Sequence, residues 1–143
     1  MSYGRHLAQG GIMSHIMDDL LYTRDHLWVL VEDSLATVGL TDFALGLVGD
    51  VTMVEPPEDD RDLHSGDEVA KILGREGEMA VCSPVSGQVT EVNQELEASP
   101  DIIGQDCYGM GWLYRVEMTR PSELDRLMEA EEYEAFLASE EET

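Results

Sequence analysis

The chain has 143 residues, enough to bury the core of one domain, and its 43% apolar content argues against disorder. Its 31 acidic and 8 basic residues give a formal net charge of −23, which disfavours nucleic acid and anionic membranes as partners and favours basic protein surfaces. Two cysteines, four scattered histidines and no long apolar run leave no pattern for a disulfide scaffold, a zinc site or a membrane span. No metal is expected, and the acidity itself suits solubility in a saline cytoplasm.

Residues 1–18 contain "MSYGRHLAQGGIMSHIM", which lacks the continuous apolar stretch of a signal peptide. They are expected to form a flexible extension, or a non-native scar, outside a single domain spanning 19–138. The alternation in "YTRDHLWVLVED" predicts a strand ending at Asp33-Ser34, and "LATVGL" predicts a second. "TDFALGLVGD" follows as a helical turn, with Thr41 or Asp42 as its cap and Gly46 and Gly49 limiting its length. "VTMVEP" is a strand stopped by Pro56-Pro57, and "EDDRDLHSGD" is a charged, turn-rich link. The runs "EVAKIL" and "EMAVCSPVSGQVTEV" are short and rich in strand formers, with glycine and proline punctuation. With "GWLYRVEM", they argue for a small sandwich or flattened barrel. "SGDEVAKIL" and "VSGQVTEVN" each run Ser-Gly, polar residue, strand, and suggest a pseudo-symmetric pair about a protruding turn. Pro121-Ser122 opens a closing helical region whose two apolar stripes are out of phase, so two short helices or one kinked helix are expected. Residues 139–143 should be a frayed acidic tail.

Four segments carry a family resemblance in the same order: "YTRDHLWV", "ATVGLTDFALGLVGDVTMVEPP", "SPVSGQVTEVNQELEASPDIIGQDCYGMGWL" and "SELDRLMEAEEYEAFL". Together, from about Tyr22 to Leu137, the chain resembles the H protein of the glycine cleavage system, a lipoyl carrier related to biotinyl and lipoyl domains. Leu27 stands where that family usually has a glutamate before the tryptophan. The resemblance implies a mainly β, lipoyl-domain-like sandwich or flattened barrel (a hybrid motif) with short helices, including a C-terminal helical segment. It also implies a hairpin whose tip lysine bears lipoate in amide linkage. That arm takes the aminomethyl group left by glycine decarboxylation, passes it to a tetrahydrofolate-dependent partner, and is reoxidised by a flavoprotein. The H protein itself is no enzyme.

The family's hairpin runs from Gly-Asp-Glu through Glu-Ser-Val-Lys-Ala to Pro-Val-Ser-Gly. Counting forward from Gly66 and back from Pro84 both place the lipoyl position at Glu76, with Leu73 where the family's glutamate stands. Lipoylation needs an amine nucleophile, and a carboxylate offers none. The sole lysine, Lys71, lies five residues earlier, about 16 Å along an extended strand. No bound cofactor and no catalytic residue are therefore expected. The hairpin tip, Gly74, Arg75, Glu76, Gly77 and Glu78, is expected to be an interaction element that presents the Arg75–Glu76 pair to protein partners. Candidate partners are enzymes of glycine cleavage or lipoate metabolism, in the cytoplasm.

Two alternatives stay open. Lys71 would serve as a substitute attachment point, or Cys82 would form a redox pair with Cys107 if the fold brought them together. No lysine or arginine adjoins either thiol to lower its pKa, so both read as small buried residues. The acidic loop "EPPEDDRD" (Glu55–Asp62) lacks the ligand spacing and turn glycine of a calcium loop, and His26 has no triad partner in sequence.

Overall fold

The computed structural model describes residues 5–6, 15–16, 20–58 and 60–141. Of the expected N-terminal extension it describes only β1 (Arg5–His6) and β2 (His15–Ile16), which pair antiparallel as a separate two-stranded ladder. The rest of residues 1–18 lies outside the described residues.

The main domain opens with β3 (Leu21–Tyr22) and β4 (Leu27–Glu32). The single strand expected over this run is broken, because Thr23 offers its backbone an alternative. Its hydroxyl accepts from the N–H groups of Asp25 and Leu27 at 3.2 and 3.1 Å, and His26 adopts a left-handed φ of 69° to complete the turn. β4 then turns through Asp33, at φ 56°, into β5 (Leu35–Leu40), pairing Glu32 with Leu35 and Leu27 with Leu40. Helix α1 (Asp42–Val48) is capped by the Thr41 hydroxyl, which accepts from the Ala44 N–H. The helix ends at Gly49, whereas Gly46 lies within it.

β6 (Val51–Glu55) is followed by the two-residue β7 (Asp62–Leu63), which lies inside the expected loop. β8 (Glu68–Gly74), β9 (Glu78–Cys82) and β10 (Gly87–Val92) complete the central run. Two one-turn helices unanticipated from the sequence follow: α2 (Glu95–Ala98), burying Leu96, and α3 (Ile102–Gln105), burying Ile103. β11 (Tyr114–Met118) leads to a 3-10 turn over Pro121–Arg126 and then to α4 (Ala130–Glu141). Two short helical segments thus close the chain, as the out-of-phase stripes predict. The tail expected to fray from 139 is helical to Glu141, and residues 142–143 lie outside the described residues.

The strands form two antiparallel sheets, one ordered β3-β4-β5-β11-β10-β7 and the other β6-β8-β9. Their inner faces share one core, with Val29, Val38, Leu40 and Val116 of the large sheet in the same cluster as Ile72 and Val81 of the small one. Each such side chain contributes roughly 1.5–3 kcal/mol on burial. The two Ser-Gly segments meet where the sheets join: the Ser65 N–H donates to Ser86 Oγ at 3.0 Å, and the strands after them enter different sheets.

A second cluster lies under α4, where Leu20, Tyr22, Trp28, Ala130, Tyr133 and Leu137 pack. Tyr22 and Tyr133 stack with centroids 4.5 Å apart. Tyr22 and Met128 exchange two main-chain hydrogen bonds, each 2.8 Å, joining the start of the domain to its closing segment. Among the described residues, no helix is long and apolar enough to cross a membrane.

Candidate functional site

The β8–β9 hairpin stands on the small sheet. Its register pairs Lys71 with Ala80, Ile72 with Met79 and Leu73 with Glu78, leaving Gly74–Gly77 as the turn, which the Gly74 N–H closes by donating to the Gly77 carbonyl at 2.8 Å. Arg75, Glu76, Gly77 and Glu78 are exposed. Glu76, at the position where the family resemblance puts the lipoyl residue, lies on the bend, whereas Lys71, the substitute attachment point considered, lies in mid-strand. Lys71 Nζ lies 3.9 Å from a Glu78 carboxylate oxygen, a partly exposed diagonal pair contributing at most about 1 kcal/mol.

The tip does not hang free. The Glu76 N–H donates to the Val48 carbonyl at 2.8 Å and the Arg75 N–H to the Asp50 carbonyl at 3.0 Å. The end of α1 therefore places an otherwise orphaned carbonyl on the hairpin. Two glycines permit this approach. A Cβ on Gly74 would collide with the Val48 carbonyl oxygen. Gly49 has φ +76°, and a Cβ there would come within 2.9 Å of Glu76 Cγ, because the Glu76 side chain lies over it. Reading the sequence alone missed this seat on Val48, Gly49 and Asp50. The available signal was the Gly49-Asp50 pair, which marks the helix end but not what docks there.

The other end of α1 is fixed just as firmly. Tyr133 Oη lies 3.0 Å from Thr41 Oγ1 and 2.9 Å from His26 Nδ1, in a buried cluster that ties α4 to the cap of α1. His26 is thus a packing residue in contact with Phe43, Tyr133 and Phe136.

The cysteines are not bonded to each other. Burial, reinforced by Asp42, pushes the Cys107 thiol up to about 12. Burial, then the carboxylates of Asp25 and Glu68, also raises that of Cys82. Both thiols are held protonated near neutrality, the opposite of a reactive setting. Among the described residues, no three His, Cys, Asp or Glu side chains converge as a metal site.

Two packed antiparallel sheets with a hairpin rising from the smaller one define a lipoyl-domain-like β-sandwich with a C-terminal helix. The family model for the glycine cleavage H-protein matches residues 20–140. The chain is 40% identical over 124 residues to the glycine cleavage system H protein of Symbiobacterium thermophilum, covering 87% of this chain and 97% of that one. It is 42% identical over 123 residues to that of Coprothermobacter proteolyticus, covering 85% and 97%. The crystal structure of the H protein from Mycobacterium marinum superposes with a TM-score of 0.75 at 32% identity, covering 81% of this chain and 94% of the other. The chain belongs to the glycine cleavage H-protein family.

Proposed function

We propose that this chain is an H-protein homologue that carries no lipoate. It acts as a non-enzymatic interaction or regulatory module in the cytoplasm, docking through its hairpin to enzymes of glycine cleavage or lipoate metabolism. The observation that carries this reading is the tip itself: a carboxylate, Glu76, stands on the exposed bend, and the chain's only lysine lies within β8 beside Glu78. An acyl transfer that forms a lipoyl amide requires an amine at the bend, and the bend has none. The formal charge of −23 supports protein surfaces of basic character as the partners.

The reading is tested by intact-mass analysis after co-expression with a lipoate ligase and lipoate. The expected result is an unmodified mass for the native chain and one lipoyl adduct, mapped to the bend, for Glu76→Lys. An adduct on Lys71 of the native chain overturns the proposal and restores the carrier role.

A further inference from the structure

Beside the hairpin tip lies an open cleft of about 670 Å³, within the roughly 300–1,000 Å³ range of ligand sites. One wall comes from α1 and the start of β6, with Leu45, Gly46 and Asp50, and the other from α3, with Asp101 and Gly104. Arg75 of the tip lines it as well. A Cβ built on Gly46 or Gly104 meets no atom within 4 Å, so both walls expose bare backbone that another main chain can approach closely. The Arg75 side chain is exposed and takes part in no ion pair among the described residues.

We infer that this cleft receives an extended, lysine- or arginine-bearing segment of a partner protein. This inference rests on the reading of the tip as a docking element. Three features select that occupant. The cleft's two carboxylates against one guanidinium, on a chain of net charge −23, attract a cationic segment and repel an acidic one. The bare glycine walls at Gly46 and Gly104 admit the close approach of another backbone. Arg75 contributes a fork of N–H donors suited to the main-chain carbonyls of such a segment. Basic side chains would meet Asp50 and Asp101, while Arg75 holds the backbone.

The test titrates the full chain with two acetylated, amidated, dye-labelled peptides, one alternating lysine with glycine and one alternating glutamate with glycine, followed by fluorescence anisotropy at low salt. The lysine peptide should bind and the glutamate peptide should not. Gly104→Leu, whose new side chain enters open space, should weaken binding at least tenfold while leaving the thermal midpoint in place. Glu32→Gln with Glu129→Gln, which removes two charges outside the cleft, should change binding less than threefold. Arg75→Ala should weaken binding although it removes a like charge. Unchanged binding in Gly104→Leu, or tighter binding in Arg75→Ala, overturns the inference by assigning the peptide to the acidic surface at large. That result leaves the tip reading standing, because the latter fails only on a lipoyl adduct at Lys71.

Discussion

Gly49 carries more of the site than its position at a helix end suggests. Its backbone, at φ +76° and ψ −154°, belongs to a region that only glycine occupies readily, and the Glu76 side chain rests over its bare Cα. Gly49→Ala should therefore cost roughly 1–3 kcal/mol, read as a lower urea midpoint. Hydrogen exchange at the Arg75 and Glu76 amides should quicken in the same variant, because their acceptors are Asp50 and Val48 on either side of the substituted residue. Cys107 sets a second residue-scale expectation. In the unfolded chain its thiol ionises near 9, whereas in the fold burial and Asp42 hold it protonated up to about 12. The folded state thus binds the proton more tightly, and stability present below pH 9 declines as pH rises towards 12. Chemical denaturation across that window should show a steeper alkaline loss for the native chain than for Cys107→Ala.

At the scale of elements, α1 acts as a strut between the hairpin tip and α4. The cap at Thr41 is held by Tyr133 of α4, and the terminal carbonyl at Val48 holds Glu76. Removing one hydroxyl in Tyr133→Phe takes one buried hydrogen bond each from Thr41 and His26 and should cost roughly 1–3 kcal/mol in denaturant melts. Most strands of the fold were legible in the sequence because period-2 runs such as those around Trp28 and Tyr114 end at glycine, proline or aspartate. The Thr41 cap and the paired closing helices were legible for the same local reasons. What escaped was decided by contacts distant in sequence or by a single side chain. The Thr23 hydroxyl splits a run that alternation joins, and α2 and α3 are single turns held by burying Leu96 and Ile103 rather than by helical periodicity. The bend at Glu76 followed from the family resemblance, by counting along the family's hairpin pattern from Gly66 and back from Pro84. Its docking on α1 did not, since no pattern near residue 76 points to residues 48–50.

Across the whole molecule, a charge of −23 spread over a small sandwich repels itself, and the compact state concentrates that repulsion. Added salt shortens the range of these forces, with a screening length of about 10 Å at 0.1 M falling to about 3 Å at 1 M. The thermal midpoint should therefore climb by several degrees between those concentrations, as followed by circular dichroism, whereas a chain stabilised mainly by surface ion pairs would decline. Topology adds a constraint of another kind. The hydrogen bonds between Tyr22 and Met128, and the ring stack of Tyr22 on Tyr133, join the first strands of the domain to its last quarter. A nascent chain on the ribosome cannot make these contacts until the tunnel has released residues beyond 133. The domain therefore gains its final form only after that release, and chains stalled before it remain open to proteases.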